Sequence, residues 1–310
     1  MPTPESSCKR IDVRSDKKEQ SMADAGSPSG SPRSPRSPKR FLLCSPDHFD
    51  VTFEINPWMS AERRPDRRKS WQEWNDLVAN LRAAGAEVQH FPSLPGLSDM
   101  VFPTDVGVVA GDRFVRGRFR HAERRDEAAY GAKWLLEHGF AEIPWPDDPD
   151  LFLEGGDVVR FGDVLLCGNG PRTSPATATY LSRVLDRPVV TVPIVDPRFY
   201  HLDMSFFPLD DRRAIYAPDV WDLEGQRAVE RLVPEPLVIG IDEALSFCAN
   251  SVVVGDTVVM PFCPPRVRSA LVDWGFTVCV SPVDEFLKAG GGIRCMSLDL
   301  DLLATRVPQP

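Results

Sequence analysis

The chain has 310 residues, of which 42% are hydrophobic and 26% charged, a globular balance that can bury a sizeable core in one or two domains. Net charge is −9, but residues 1–40 hold nine Lys/Arg against five Asp/Glu, whereas residues 41–310 hold 27 against 40. The acidity of residues 41–310 argues against a nucleic-acid partner and suits a small cationic substrate. No apolar run reaches the roughly 18 residues that a membrane-spanning helix needs.

Residues 1–39 are predicted to form a disordered tail. The Ser-Pro repeats of 27–39, SPSGSPRSPRSPK, have neither helix nor strand period and cannot bury enough apolar surface to offset the entropy of ordering. A basic regulatory segment is the alternative interpretation. From residue 41 onward the sequence contains the apolar segments of a folded protein, so we expect a single folded domain over residues 40–310.

Hydrophobic periodicity and turn residues predict strands and helices in alternation along this domain. In chain order the predicted elements are a strand at 41–44, a helix at 70–84, a strand at 88–91, a strand-turn segment at 100–109, a helix at 123–139, a hairpin at 158–167, a helix at 174–186, strands at 189–195 and 213–217, a helix at 222–232, a strand at 237–241, a hairpin at 251–260, a helix at 264–274 and a strand at 277–280. The residues expected to face inward on the first two helices are Trp71, Trp74, Leu77, Val78 and Leu81, then Ala128, Ala129, Trp134 and Leu135.

The order of these elements recurs, with strand hairpins and single helices alternating in units of roughly 40–60 residues. This order favours α/β units arranged around a centre over one doubly wound sheet. No GxGxxG follows the first strand, and Gly290-Gly291-Gly292 lacks the Lys-Ser/Thr ending of a phosphate loop. The sequence therefore predicts no nucleotide cofactor.

Two clusters in the middle of the chain could carry chemistry. Glu154 and Asp157 flank paired glycines at the entry to a strand, where a backbone can approach a ligand closely, although a tight turn with solvated acids explains them equally well. His201 and Asp203 are two residues apart and would share one face of an extended chain. A lone histidine is more often a core residue than a proton carrier, but Asp203 on the same face weakens that interpretation.

The cysteines are odd in number, seven, and include no CxxC pair, which argues against a disulfide framework or a zinc site. No signal peptide is visible, so we expect a cytoplasmic, reduced protein without a metal. Cys295 differs from the others because it follows Gly290-Gly291-Gly292 and Arg294, and a nucleophilic thiolate needs access and nearby positive charge. The cysteines interpreted as buried and inert are Cys44, Cys167, Cys248, Cys263 and Cys279.

Acidic and basic residues also cluster between positions 99 and 125. Asp99 and Asp105 could pair with a cationic ligand, and the alternative is a strand end with solvated charges. Arg124 could be an ordinary surface arginine at the start of a helix.

Taken together, these clusters resemble the guanidino-group-modifying enzymes, which include dimethylarginine dimethylaminohydrolase, arginine deiminase, arginine dihydrolase and the amidinotransferases. The resemblance covers nearly all of residues 41–306, and it lies in the order and spacing of short motifs. Those motifs are FLLCSPDHF at 41–49, EINPWM at 54–59, the aspartates of 99–105, the arginines of 124–125, EGGD at 154–157, Arg172-Thr173, His201-Leu202-Asp203 and the closing Gly-rich cysteine.

The resemblance implies one catalytic domain with an α/β propeller fold, about five ββαβ units with pseudo-fivefold symmetry. It implies that Cys295 is the nucleophile, that His201 shuttles protons and that Glu154 orients the histidine. The substrate-binding residues implied are Asp105 on the guanidinium, Asp99 lining the same pocket, Arg124 and Arg172 on the amino-acid end, and Asp203 and Asn56. No cofactor or metal is implied, and a homo-oligomer stays open.

The resemblance also implies the chemistry. Carboxylates fix the substrate guanidinium, a cysteine thiolate attacks its carbon, and the histidine protonates the departing amine. The same histidine then activates water against a covalent thiouronium, which gives citrulline and an amine from an arginine-like substrate.

The branch within the family rests on position 105. The arginine dihydrolase pattern has asparagine there, whereas this chain has Thr104-Asp105-Val106-Gly107, as in dimethylargininases and deiminases. Asp203 is more typical of the deiminase and dihydrolase side, but the chain is short for a deiminase. We interpret it as a dimethylargininase-like hydrolase, with arginine deiminase or dihydrolase as the first alternative. An amidinotransferase, or a non-catalytic binding module that would have lost the cysteine or histidine, is a weaker alternative.

Overall fold

The computed structural model describes residues 38–303 and contains five small sheets of three strands each. The tail predicted at 1–39 falls almost entirely outside the described residues, so its disorder stays a prediction. The strands are β1 (Arg40–Cys44), β2 (Glu87–Phe91), β3 (Gly107–Ala110), β4 (Arg113–Arg116), β5 (Ala141–Glu142), β6 (Val158–Phe161), β7 (Val164–Asn169), β8 (Val189–Pro193), β9 (Phe206–Pro208), β10 (Arg213–Tyr216), β11 (Glu235–Val238), β12 (Val252–Val254), β13 (Thr257–Met260), β14 (Thr277–Val280) and β15 (Leu298–Asp299). The helices are α1 (Arg67–Ala83), α2 (Arg125–Glu137), α3 (Thr177–Leu185), α4 (Leu223–Leu232), α5 (Ile241–Ala244), α6 (Pro265–Asp273) and α7 (Asp284–Leu287).

One pattern builds all five sheets. A first strand pairs antiparallel with a second, a helix crosses over, and a third strand pairs parallel with the second, as in β3, β4, α2 and β5. A parallel partner requires such a crossover, whereas the antiparallel partner needs only a tight turn. The sheets therefore confirm the predicted mixed α/β class and the ββαβ order of its units.

The fifth sheet joins the two ends of the described chain. Its first strand is β15, which pairs antiparallel with β1 in the register Phe41↔Asp299, and β2 pairs parallel on the other side. The Lys39 ammonium reinforces this junction at 3.1 Å from the Asp299 carboxylate. The N-terminal strand and the residues after Cys295 are therefore parts of one unit.

Turn and capping residues fix where the helices begin and end. Asp66 accepts a hydrogen bond from the Lys69 N–H at the start of α1, and Asp222 does the same for Gly225 at the start of α4. Gly85, predicted to stop the first helix, has φ +101°, a left-handed conformation that glycine adopts at little cost. The predicted boundaries of the helices are accordingly within a few residues of the observed ones.

The buried faces of the first two helices confirm the predicted periodicity with three exceptions. Trp74, Leu77, Val78 and Leu81 are buried, but Trp71 is only half-buried. On α2 Ala128 and Leu135 are buried, whereas Trp134 is half-buried and the prediction for Ala129 is wrong, because it is exposed. A 3₁₀ turn at Ala122–Arg124 precedes α2.

Several short elements were missed or misread in the sequence. The segment 100–109 is a 3₁₀ turn at Pro103–Val106 followed by β3, and strands β4, β5, β9 and β15 were not predicted. The strand predicted at 237–241 ends at Val238, and Ile241 already begins α5. Two-residue strands such as β5 and β15 are too short to show a period of two, so only pairing defines them.

No helix within residues 38–303 is long and apolar enough to cross a membrane. The five cysteines interpreted as inert are all buried. Burial raises the pKa of the Cys248 thiol to about 12 and that of Cys263 to about 11, so these thiols are not nucleophiles at neutral pH.

Candidate active site

Each of the five units carries a polar residue in the short segment that leads into its first strand. Asp105 precedes β3, Glu154 precedes β6, His201 precedes β9, Asn250 precedes β12 and Cys295 precedes β15, at offsets of two to five residues. All five side chains are at most 2% exposed. The repeat therefore supplies one chemical group per unit from equivalent positions.

A histidine between two carboxylates forms one half of the site. His201 Nε2 lies 2.9 Å from Glu154 Oε2, and its Nδ1 lies 3.7 Å from Asp105 Oδ1. Although burial opposes a charged imidazole, Asp105 and the hydrogen bond to Glu154 raise the pKa of His201 to about 9. The histidine is therefore an imidazolium at neutral pH, able to give a proton.

Two buried arginines donate hydrogen bonds to those carboxylates. Arg172 Nη1 donates to Glu154 Oε2 at 2.8 Å, and Arg124 Nη1 donates to Asp105 Oδ2 at 2.9 Å. Although burial opposes ionisation, Arg172 and the His201 contact hold the pKa of Glu154 well below its usual range. Glu154 therefore stays a carboxylate and orients the imidazole from one side.

Asp99 lies at the far end of this network. Its Oδ2 is 3.8 Å from Arg124 Nε, a nitrogen that donates to Glu127 Oε2 at 2.7 Å. Burial raises the pKa of Asp99 to about 8, so it is largely protonated at neutral pH. Its predicted place in the lining of the substrate pocket stays a prediction.

The nucleophile candidate forms the other half of the site. The Cys295 thiol donates to Asp203 at 3.6 Å, and Asn250 Nδ2 donates to the sulfur at 3.1 Å. Arg294, expected to supply positive charge, instead donates to Thr104 Oγ1 at 2.9 Å and to the Ser297 carbonyl. Burial, with Asp203 and Asp105, raises the pKa of the Cys295 thiol well above its usual range, so the resting sulfur is protonated.

The backbone conformation that brings His201 and Asp203 to the site differs from the predicted extended strand. The sequence placed both on one face of an extended strand, but Leu202–Met204 is a 3₁₀ turn, capped by an extended His201. The Leu202 N–H donates to Asp157 Oδ1 at 3.0 Å, which pins this turn. Both side chains reach the site, but through a turn that periodicity does not reveal.

The glycine segment before Cys295 is packed rather than open. A Cβ at Gly291 would lie 2.2 Å from Phe102 Cε1, and one at Gly292 would lie 2.8 Å from Asn250 Oδ1. The half-buried Asn56 donates to the Ala289 carbonyl at 3.0 Å and accepts from the Trp58 N–H at 2.9 Å. Asn56 therefore supports the glycine segment, and its predicted contact with substrate stays a prediction.

Gly156 leaves no room for a side chain beside the histidine. A Cβ there would lie 2.7 Å from His201 Nδ1 and 3.1 Å from Asp105 Oδ1. We expect Gly156→Ala to displace His201 and lower kcat/KM at least ~100-fold, with a stability loss of about 1–3 kcal/mol. Gly240→Ala is the matched control, because a Cβ at Gly240 meets no atom within 4 Å and its φ is −80°. Steady-state kinetics and thermal unfolding check this, and an active Gly156→Ala enzyme would contradict the packing argument.

Asp105, Glu154 and His201 are the one group within residues 38–303 whose donor atoms could surround a metal ion, all within 4.8 Å of one another. Two guanidinium groups, Arg124 and Arg172, already lie against these carboxylates at 2.9 and 2.8 Å. His201 is an imidazolium that donates to Glu154, and a protonated ring cannot ligate a metal, so the donor set does not fit one.

Sequence reasoning did not single out two buried residues of this cluster and gave a third no role of its own. Asn250 contacts the Cys295 sulfur, Glu127 accepts from Arg124 Nε, and Asp157, named beside Glu154, fixes the turn that carries His201. The signal for Asn250 was its position, because it stands directly before the predicted hairpin at 251–260 and two residues before β12, as Asp105 stands two residues before β3.

The chain is similar to several known proteins. The chain is 36% identical over 265 residues to the bifunctional arginine dihydrolase/ornithine cyclodeaminase ArgZ of Synechocystis sp., covering 84% of this chain and 37% of that protein. It is 33% identical over 274 residues to the N(G),N(G)-dimethylarginine dimethylaminohydrolase of Mycobacterium tuberculosis, covering 87% and 89%. The crystal structure of the N-terminal domain of ArgZ bound to product, an arginine dihydrolase from Cyanobacteria, superimposes with a TM-score of 0.81 at 34% identity, covering 85% and 98%.

The chain thus spans about a third of the length of the first of these relatives and nearly all of the second. The family described as "N,N dimethylarginine dimethylhydrolase, eukaryotic" matches residues 46–302, which contain every predicted site residue from Asn56 to Cys295. The chain therefore belongs to the dimethylarginine dimethylaminohydrolase family.

Proposed function

We propose that the protein hydrolyses the guanidinium group of arginine or a methylated arginine through a covalent thiouronium on Cys295, giving citrulline and an amine. The observation that carries this proposal is the convergence of Cys295, a charged His201 and paired carboxylates from separate units. Even without Asp99, which is largely protonated, the carboxyl groups of the buried cluster outnumber its cations, which favours a cationic ligand over an anionic one. Those carboxyl groups are Asp105, Glu127, Glu154, Asp157 and Asp203, and the cations are Arg124, Arg172 and His201.

In the first step, the substrate cation binds against Asp105 and Asp203. Burial raises the pKa of Asp203 to about 6, so this group is ionised at neutral pH and attracts the guanidinium. The cation lowers the pKa of the nearby thiol, whose proton is released to solvent. The sulfur then bonds to the guanidinium carbon, the bond from that carbon to the departing nitrogen breaks, and His201 gives its proton to the amine.

In the second step, His201 is neutral and acts as a base. It takes a proton from water while the water oxygen bonds to the thiouronium carbon. The carbon–sulfur bond then breaks, the hydroxyl group on that carbon gives its proton to the departing sulfur, and the ureido product leaves with the thiol restored. Glu154 stabilises the imidazolium that forms again, because its carboxylate accepts from Nε2 throughout.

The charge of His201 gives a direct test by NMR. We expect one of the five imidazoles to titrate near pH 9 and its signal to vanish in His201→Asn. Because the folded pKa of His201 exceeds the unfolded value of 6.5, its protonation adds ~3 kcal/mol to the free energy of unfolding below pH 6.5. This stability is lost as pH rises through 9. An imidazole assigned to His201 that titrates below its usual range would contradict the proposed proton donor.

Products from a substrate panel test the function. Mass spectrometry with arginine, monomethyl- and dimethylarginine, agmatine and hydroxyarginine should give citrulline with one or more arginine-type substrates. Quenched reactions should show an adduct on the Cys295 peptide. Turnover of none of these compounds would refute the proposed function.

Arginine dihydrolysis, to ornithine and ammonia, is the second candidate. It is favoured by the relationship to ArgZ and by Asp203, which the sequence resemblance places on the deiminase and dihydrolase side. Asp105 favours the single hydrolysis, since the dihydrolase pattern has asparagine at that position. Ornithine formation from arginine by the wild-type protein would decide for this candidate.

We further propose that the five units stand around a common pseudo-fivefold axis, as an α/β propeller that forms one catalytic domain over residues 40–310. The repeated ββαβ sheets and the sheet shared by β1 and β15 support this. Five equivalent segments can meet at one site only if they point toward the same centre. The axis would then pass near Cys295 and His201, and a small cationic substrate would bind there.

A further inference from the structure

Asn250 contacts the nucleophile but has no role in the mechanism above. Its side chain is fully buried in the turn before β12. Its Oδ1 accepts from the Cys295 N–H at 3.2 Å, and its Nδ2 donates to the Cys295 sulfur at 3.1 Å and to the Asp203 carbonyl at 3.3 Å. One amide group therefore contacts both the backbone and the sulfur of the nucleophile.

The orientation of this amide is fixed by its partners. A backbone N–H can only donate, so the atom that faces the Cys295 nitrogen must be the oxygen. A carbonyl can only accept, so the atom that faces Asp203 O must be the nitrogen. Since both ends agree, the sulfur faces an N–H donor, and a flipped amide would lose both backbone bonds.

The surroundings of the sulfur show why this donor matters. The Asp203 carboxylate lies 3.6 Å from the sulfur and repels a developing thiolate, as does Asp105. Hydrogen bonds from the Asn250 amide and from the Gly292 backbone act in the opposite direction. An amide does not titrate, so this donor is present at every pH at which the protein folds.

Asn250 also holds the segment that carries the cysteine. Its carbonyl accepts from the Arg294 N–H at 3.3 Å, and its Oδ1 would lie only 2.8 Å from a Cβ on Gly292. The main chain at residues 294 and 295 is thus hydrogen-bonded to one residue at two points. Removal of the side chain would free the sulfur as well as deprive it of a donor.

We propose that Asn250 is a catalytic residue whose amide N–H stabilises the thiolate of Cys295 and sets its direction of attack. This inference rests on the proposed role of Cys295 as the nucleophile. The position fits the repeat, because Asn250 precedes β12 as Asp105, Glu154 and His201 precede the first strands of their own units. The fourth unit thereby contributes to the chemistry like the others.

The test compares Asn250→Leu and Asn250→Asp, which lack the donor, with Asn250→Ser, whose hydroxyl can still donate. Hydrogen bonds to charged groups imply that the first two variants lose roughly 10- to 150-fold in kcat, with KM changed little, and that Asn250→Ser is intermediate. Alkylation of Cys295 by iodoacetamide, followed by mass spectrometry of its peptide, should slow by a similar factor and shift to higher pH. Asn80→Leu is the control, since Asn80 Nδ2 donates to Ser281 Oγ and not to the site.

The alkylation profile separates this inference from the proposed function, because it needs no substrate. If the wild-type protein turns over no guanidino compound, but Cys295 is alkylated more slowly in the variants that lack the Asn250 donor, the inference is supported and the proposed function is refuted. Circular dichroism and melting temperature identify variants that fail to fold. If Asn250→Leu is one of them, the comparison of Asn250→Ser with Asn250→Asp tests the inference. Folded Asn250→Asp with alkylation and kcat within roughly twofold of wild type would overturn the inference.

Discussion

Replacement of Cys295 by serine is expected to abolish turnover while leaving the fold intact. A serine hydroxyl stays protonated beside the Asp203 carboxylate and cannot form the thiouronium, so we expect a loss of at least ~10⁴-fold in kcat. The exchange of sulfur for oxygen is small, and Asn250 Nδ2, 3.1 Å from the sulfur, can donate to either atom. The melting temperature should therefore change by only a few degrees.

Cys263→Ser is the matched control for this variant. Cys263 is also buried, and its thiol donates only to the Pro264 carbonyl at 3.8 Å, a bond that serine can replace. Kinetics with the best substrate, and peptide mass spectrometry for a trapped adduct, measure both variants. Near-normal activity of Cys295→Ser together with inactive Cys263→Ser would show that the nucleophile is misassigned.

Replacement of Asp105 by asparagine is expected to cripple hydrolysis and to change its product. Asp105 accepts at both oxygens, from Arg124 Nη1 at 2.9 Å and from the Gly156 N–H at 3.1 Å. An asparagine amide must place its NH₂ against one of these donors, whichever way it is flipped. Loss of one partner of a buried ion pair costs roughly 3–5 kcal/mol, so we expect kcat/KM to fall more than ~100-fold.

The product of this variant tests the branch within the family. Asparagine is the dihydrolase-like residue at this position, so residual activity on arginine should move from citrulline toward ornithine and ammonia. Glu142→Gln is a suitable control, because Glu142 pairs with Arg116 at the half-buried surface, 3.1 Å away. Unchanged kinetics in Asp105→Asn would place Asp105 outside the pocket and remove the main reason for preferring dimethylargininase chemistry.

The fold and the identity of most candidate residues could be predicted from the sequence because both depend on local signals. Alternating hairpins and helices encode the ββαβ units, and glycines such as Gly85 mark ends that the backbone conformation requires. Short motifs around Glu154, His201 and Cys295 were sufficient to single out three residues that lie in one buried cluster.

The tertiary structure alone decided how these residues meet. Arg294 adjoins Cys295 in sequence but turns away to Thr104, whereas Asn250, 45 residues earlier, contacts the sulfur. The strand β15 has only two residues and exists because β1, from the other end of the described chain, pairs with it. Periodicity shows which face of a helix or strand is buried. Contacts between units instead join segments that are distant in sequence, and no local pattern shows which segments meet. The charge of His201 likewise comes from Asp105 and Glu154, 96 and 47 residues away along the chain, and no local pattern encodes it.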